Sequence, residues 1–352
     1  MIVLKDYLDK ENIIYKSDFN LGYYTYCKVG GNCKLYITPT NNEQLIGLIK
    51  CINIQNIRYT IIGETSNMIF LDDVIYGVII STKLLDSICL EKNKVTVGAG
   101  ANLSNFLRLL YSKKIEGFHG LEGIPGSVGG AVFMNAGAYG SETSEYIINV
   151  ECMTLNGRIV NISKEHCHFS HRNSIFRKEK KYIILSITFL IKRSNDEGFY
   201  KKIEELHIAR HSYQEFVLPN VGSVFTANKC IYEEFCNLDW KYKLAYKFIN
   251  KLFYNRIFKI LNRKSPNRKI INKFTVKYFK LNEISSHFSI KHINMFANMD
   301  KNSWDLIDYI IKMKGVLGDK VMLENEIITD SIIGCENGKY HKYKKLIESV
   351  RG

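Results

Sequence analysis

The chain has 352 residues, of which 46% are hydrophobic and 24% charged. These proportions suit two or three globular domains and are too apolar for wholesale disorder. No run of about 18 apolar residues occurs, so no transmembrane helix is expected. The opening stretch, MIVLKDYLDKENII, alternates charged and apolar groups and lacks the uninterrupted apolar core of a signal peptide. Nine cysteines, an odd number with no CxxC spacing, read as reduced thiols of a cytoplasmic protein and not as a disulfide framework. The formal net charge is +14, yet 13 Lys and Arg residues and no Asp or Glu lie between Trp240 and Lys280. The remainder is close to neutral, so the basic balance describes one segment and does not make the whole chain a nucleic-acid binder.

In chain order, residues 1–20 read as a short amphipathic helix and 33–39 as a strand. Residues 41–54 read as a helix with Leu45, Leu48 and Ile49 on one face and Asn41 or Asn42 as N-cap. Strands are expected at 58–62, 68–71, 76–81 and 94–98, with a polar loop at 63–67 and a helix over 102–113. A glycine-rich loop fills 117–140, and strands return at 146–154, 158–161 and 182–193. The polar stretch Arg193–Glu197 marks a boundary. Beyond it come a helix at 199–209, the basic segment, a helix near 302–314 and a last strand near 320–328. Residues 333–352 read as a polar tail or small helix. This alternation indicates mixed helix and strand architecture in consecutive lobes.

Residues 120–140, GLEGIPGSVGGAVFMNAGAYG, hold glycines at 120, 123, 126, 129, 130, 137 and 140. So small a stretch cannot pack a core. It lets the backbone approach a ligand, and successive N–H groups can cradle a pyrophosphate. The pattern is neither a Walker loop nor a clean GxGxxG after a strand, so a turn-rich connector stays open beside a nucleotide site. The loop Gly63-Glu64-Thr65-Ser66-Asn67 is a second candidate for phosphate contact.

Gly123-Ile124-Pro125-Gly126-Ser127-Val128-Gly129-Gly130-Ala131, followed by Met134-Asn135-Ala136-Gly137-Ala138-Tyr139-Gly140, resembles the flavin loop of the UDP-N-acetylenolpyruvoylglucosamine reductases. Further landmarks follow that family's order. Thr25–Gly31 resembles its N-terminal motif, Gly63–Asn67 its GGGSN-type FAD loop, and His171-Arg172-Asn173-Ser174 its YRxS. Pro219–Phe225 resembles PSAGSVF, Ser289–Asn298 resembles SxxHANFIxN, and Leu323–Ile327 resembles LEPEV. The resemblance spans roughly 20–228 and 281–328, in the subgroup lacking an extra tyrosine-bearing loop.

The resemblance implies an α+β fold: a two-lobed FAD-binding module of the vanillyl-alcohol-oxidase-like type plus a C-terminal α/β substrate domain. The lobes would be 1–80 and 81–196, and the substrate domain 197–352 with a basic aromatic insert at 240–280. It implies FAD and NADPH as cofactors, a UDP-sugar as substrate, and reduction of UDP-N-acetylglucosamine enolpyruvate to UDP-N-acetylmuramate. Ser223 would be the proton donor, with Arg172 and Glu326 stabilising the enol intermediate. Gly63, Thr65, Ser66 and Asn67 would hold FAD from one loop. Gly123, Ile124, Pro125, Gly126, Ser127, Gly129, Gly130, Asn135, Gly137 and Ala138 would hold it from the other.

The chain departs from the pattern at Tyr24, Glu64, Thr65 and His171, and at Thr226-Ala227-Asn228, where the family has Lys-Asn-Pro. These departures leave open a different nucleotide-sugar, or a binding protein that keeps the fold. In the insert, Lys243, Lys247 and Lys251 share a helix face and aromatic residues are frequent. The preferred reading is a lysine-rich solvated face over an aromatic core, with peripheral contact to an anionic membrane as an alternative; nucleic-acid binding is not expected. His166, Cys167, His168 and His171 cluster, but neighbours on a strand point to opposite faces, and no metal site is expected.

Overall fold

The computed structural model describes residues 2–227, 229–253 and 268–351. Its first part contains helix α1 (Ile2–Lys10), strands β1 (Ile14–Asn20) and β2 (Asn32–Thr38), helix α2 (Asn42–Ile54), and strands β3 (Tyr59–Ile62), β4 (Met68–Ile69) and β5 (Val74–Ser81). Strand β5 is buried along nearly all its length, as a central strand covered on both faces must be. Strands β2 and β3 run parallel to it, and β1 pairs antiparallel with β2. Alternation along β2 and β5 sends Leu35, Ile37, Val78 and Ile80 against Leu4 and Leu8 of α1 and Leu45 and Leu48 of α2. It sends Tyr36 and Ile79 into a core on the opposite face. Asn41 caps α2 by accepting from the Gln44 N–H at 2.9 Å. The helix expected over 1–20 stops at Lys10: Asn12 takes a left-handed conformation, and the next residues become β1 because the edge of β2 recruits them.

The second part contains β6 (Ile88–Leu90), β7 (Lys94–Gly98), α3 (Leu103–Ser112), α4 (Val128–Phe133), β8 (Gly137–Ala138), β9 (Ser141–Glu142), β10 (Ile147–Thr154), β11 (Ile159–Ser163), α5 (Ile175–Glu179) and β12 (Tyr182–Leu190). Its main sheet is antiparallel, in the order β11-β10-β12-β7-β6. Phe106, Leu107 and Leu110 of α3 share a core with Val95 and Val97 of β7 and Ile187 of β12.

The third part contains α6 (Phe199–Tyr213), β13 (Phe225–Ala227), α7 (Ile231–Cys236), α8 (Trp240–Phe253), α9 (Lys269–Tyr278), α10 (Ser303–Leu317), β14 (Val321–Leu323), β15 (Glu326–Ile327), β16 (Ile332–Cys335) and α11 (Lys339–Arg351). The single strand expected near 320–328 is two short ones. Strand β14 pairs with β13 and β15 pairs with β4, so the chain changes partners at Asn325. The expected tail is ordered: β16 lies on β5 next to β3, and α11 buries Ile347 and Val350. The first sheet is thus completed by the C-terminal part, with which it shares a core.

In the basic segment, Tyr242 of α8 is fully buried and stacks on Phe274 of α9 at 5.3 Å between centroids. Its hydroxyl lies 2.7 Å from Thr275 Oγ1. The inner faces therefore form an aromatic core. Of the basic and aromatic residues of this segment, Tyr254, Arg256, Phe258, Lys259, Arg263 and Lys264 fall outside the described residues, as do Ser265-Pro266, expected to end the helix, and Asn228.

Candidate active site

Two loops meet at one cavity. The loop after β3 is tied to the glycine loop by Ser66 Oγ, which donates to the Pro125 carbonyl at 2.9 Å. The glycine loop is pinned to the end of β7: the Val128 and Gly129 N–H groups donate to Ala101 and Ala99 at 2.9 and 2.8 Å. Ser127 Oγ caps α4 by accepting from the Gly130 N–H at 3.2 Å. Glycine is required here by close approach. A Cβ at Gly63 would collide with Ser127 Oγ, and one at Gly129 would stand 2.7 Å from Ala99 Cβ. The loops border a cavity of about 540 Å³.

Of the residues expected around the flavin, Gly63, Thr65, Ser66, Asn67, Ile124, Pro125, Gly126, Ser127, Gly129, Gly130, Gly137 and Ala138 line this cavity. Gly123 and Asn135 do not. Gly123 has φ +72 and packs under the Arg210 side chain. Asn135 is fully buried, donating to Glu142 Oε2 at 2.7 Å and Ser170 O at 3.0 Å and accepting from the Ser144 N–H; its amide joins loops and is spent within the protein. Thr65 sits at φ +58, the conformation glycine favours, and its hydroxyl accepts from the Tyr26 N–H at 2.8 Å, holding the Thr25–Gly31 segment.

Arg172, Ser223 and Glu326 all line the same cavity although they come from distant parts of the chain. Arg172 donates through Nη2 to Gly137 O at 2.9 Å, and its Nε is 2.7 Å from Glu324 Oε1. Ser223 follows Gly222, whose φ of +72 turns the chain, and whose N–H is held by Asn220 Oδ1 at 2.9 Å. Glu326 is fixed by its backbone: its N–H donates to Asn67 O at 2.9 Å, on the loop after β3. The Glu324 N–H donates to Val224 O, beside Ser223, at the same distance. Asn325, between the two glutamates, donates from Nδ2 to Asn67 Oδ1 at 2.8 Å and Val221 O at 2.9 Å. The alternating bonds of 324, 325 and 326 thereby lock the serine loop to the loop after β3.

Four residues of this arrangement were not anticipated. Glu324, not Glu326, is the close partner of Arg172. Arg177 donates to Arg172 O at 2.7 Å and Glu324 O at 3.0 Å, with its Nε 3.7 Å from Glu326 Oε1. Asn325 is the third. Arg210 is the fourth: it is 5% exposed, lines the cavity, and leaves Nε and Nη2 without a hydrogen-bond partner. No carboxylate pairs with it among the described residues; its guanidinium lies 5.5 Å from the Tyr139 ring centroid. Burial pulls its pKa down from the ordinary arginine value, against Tyr213, Tyr139 and Glu122. Only its place in HIARHSY, on a helix otherwise mostly turned to solvent, hinted at it.

Two departures from the family pattern face each other: His171 Nε2 lies 3.2 Å from Thr226 Oγ1. Among the described residues no group of three or more His, Cys, Asp or Glu is arranged to hold a metal.

Residues 33–163 match the FAD binding domain family. The chain is 36% identical over 222 residues to UDP-N-acetylenolpyruvoylglucosamine reductase of Clostridium novyi, covering 63% of this chain and 71% of that protein. It is 35% identical over 222 residues to the protein of the same name from Staphylococcus carnosus, with the same coverage. Among solved structures, UDP-N-acetylenolpyruvylglucosamine reductase (MurB) from Thermus caldophilus superposes with a TM-score of 0.63 at 19% identity, over 90% of this chain and 99% of that one; that likeness speaks for the fold. The residues present fit an FAD: two loops whose glycines, packed too closely for a Cβ, bring backbone to the cavity wall, and a buried cation with unused donors that lines the same cavity. The fold is α+β, and the chain belongs to the UDP-N-acetylenolpyruvoylglucosamine reductase family.

Proposed function

We propose that the chain is a cytoplasmic, FAD-dependent oxidoreductase that uses NADPH to reduce UDP-N-acetylglucosamine enolpyruvate to UDP-N-acetylmuramate in peptidoglycan precursor synthesis. The observation that carries this reading is the convergence of Arg172, Ser223 and Glu326 on one cavity lined by both glycine-bearing loops. The FAD, when bound, supplies the two-electron chemistry between NADPH and the enolpyruvyl double bond.

The protein's own groups complete the reduction. Addition at one carbon of the double bond leaves negative charge on its neighbour, delocalised onto the carboxylate oxygens. Arg172 is held by Glu324 and Gly137 O, so its planar fork meets that charge without reorganising. Ser223 gives its hydroxyl proton to the neighbouring carbon. Glu326, half-buried beside Arg177, sits within the same charge network. Arg210 offers its unused N–H donors to a phosphate group of a bound nucleotide. The free state of all nine cysteines accords with a reducing compartment.

The test is a pair of half-reactions. The purified protein should carry a flavin spectrum that bleaches with NADPH and recovers anaerobically on adding the enolpyruvyl UDP-sugar. Ser223→Ala should keep the bleaching rate and slow the recovery by roughly 10²–10⁴-fold. Equal loss of both half-reactions would remove Ser223 from the proton-donor role. A wild-type flavin that stays reduced with this substrate, yet recovers with another UDP-sugar, would reassign the substrate.

A further inference from the structure

Helix α8 presents an outer face that its packing does not explain. Tyr242 is buried, and Tyr246 and Ile249 pack inward on the same core. On the opposite side Trp240, Leu244, Phe248 and Leu252 recur every four residues, and they are 67%, 59%, 66% and 49% exposed. Successive positions drift by about 40° at that spacing, so the four form one continuous apolar stripe. Exposed Lys243 and Lys247 run along its border, and Lys241 lies over the Trp240 ring at 5.8 Å. None of these three lysines is in an ion pair among the described residues. No acidic residue occurs anywhere from 240 to 280. Asp239, just before the helix, is turned to its own fold by Lys241 N–H at 2.7 Å and Tyr278 OH at 2.8 Å.

We propose that the outer face of α8 docks on an anionic lipid surface, lying in the interface with its apolar stripe down. Four exposed large apolar groups in line are more than scattered surface hydrophobes. The combination of such a stripe, bordering lysines and a terminal tryptophan is what the headgroup–acyl boundary accommodates. Charge selects the occupant. A second copy of this chain would bring the same cations against these lysines and repel. The cavity described takes no residue from the helix, and a row of exposed side chains along a helix suits a planar partner better than a peptide needing a groove. No helix among the described residues is long and apolar enough to cross a membrane, so the contact is peripheral. The inference does not depend on the reductase reading, because α8 contributes nothing to the cavity.

The full-length protein should co-sediment with vesicles rich in phosphatidylglycerol and not with pure phosphatidylcholine vesicles, and high salt should release it. The chain has two tryptophans, and Trp304 is only 4% exposed, so binding should appear as a blue shift of Trp240 emission. The double variant Lys243→Glu, Lys247→Glu should bind at least tenfold more weakly, at roughly fivefold per lysine lost. Leu244→Gln with Phe248→Gln should abolish the blue shift, while Ile54→Gln, a change at a still more exposed residue on α2, should leave binding intact. Circular dichroism melts should coincide with wild type for all of these surface variants. Absence of wild-type binding, equal binding to both vesicle types, or binding unmoved by the α8 variants in folded protein would each overturn the proposal. Binding of the vesicle-negative protein to a polypeptide partner instead would do the same.

Discussion

A buried guanidinium with idle donors costs folding free energy, and Arg210 is such a group. Such a cation persists when a ligand repays it, and a diphosphate can. Arg210→Met should therefore act in two directions. The ligand-free protein should melt at the same or a higher temperature, because an uncompensated charge is gone. The added stability conferred by FAD together with UDP-N-acetylglucosamine should shrink, since an arginine–phosphate contact is worth about 1.5–3 kcal/mol. Thermal melts with and without the two nucleotides check both halves. A variant that is less stable without ligand, yet gains as much as wild type with it, would make Arg210 a packing residue. Arg172, Ser223 and Glu326 were legible in the sequence because each stands in a contiguous motif. Glu324, Arg177 and Arg210 were not, because what distinguishes them is pairing and burial across distant segments, which no local spacing encodes. Asn135 sits inside the flavin motif, but its amide is consumed by Glu142, Ser170 and Ser144 and it does not line the cavity, which the motif does not reveal.

Among the elements, those with a strong period were readable: α2, α3 and α10 from their apolar stripes, and β5, β10 and β12 from their β-branched runs. Strands of two or three residues were not, because their conformation is dictated by partners and not by propensity. Residues 321–327 show the cost of missing this. A single strand would put Glu324 and Glu326 on one face of one ladder. The actual change of partner at Asn325 puts the Glu324 backbone on the serine loop and the Glu326 backbone on the loop after β3. Asn325 is 3% exposed, and its Nδ2 is the clasp of that arrangement. Leucine is nearly its shape but has no donor. Asn325→Leu leaves Asn67 Oδ1 and Val221 O short of a donor, and it also removes the clasp's own unpartnered Oδ1. The net expectation is a loss of about 2 kcal/mol in urea unfolding, with substrate-driven reoxidation slowed. Unchanged stability would mean that the short strands hold the site without the clasp.

At the scale of the molecule, the N-terminal sheet, the serine loop and the C-terminal helices share one core, so events far from the cavity can reach it. The segment after α9 makes this concrete. Asn294 brackets Phe225 with both ends of its amide, at 3.0 and 2.7 Å, and its carbonyl accepts from the Val224 N–H, next to Ser223. Just before it, His292 accepts from the Asn294 N–H through Nδ1 at 3.1 Å, and its ring lies 5.5 Å from that of Tyr232. Desolvation, reinforced by the Arg268 charge, pushes the His292 imidazole down to about 4. The fold thus prefers the neutral ring, whereas the unfolded chain takes up a proton near pH 6.5. Between those values the unfolded state binds more protons, so stability rises with pH across the window and is lost as pH falls through it, levelling off below about 4. At about 1.4 kcal/mol per unit, and allowing for partial solvent screening, His292 accounts for about 2–3 kcal/mol of acid destabilisation. Protonation also removes the Nδ1 acceptor, loosening the segment that holds Val224 and Phe225. Urea midpoints measured at pH 7 and pH 4.5 should therefore diverge less in His292→Gln than in wild type, by that amount. The flavin reoxidation rate of the variant should also fall less steeply toward acid. Parallel acid limbs for the two proteins would show that protonation elsewhere governs the acid response of both the fold and the site.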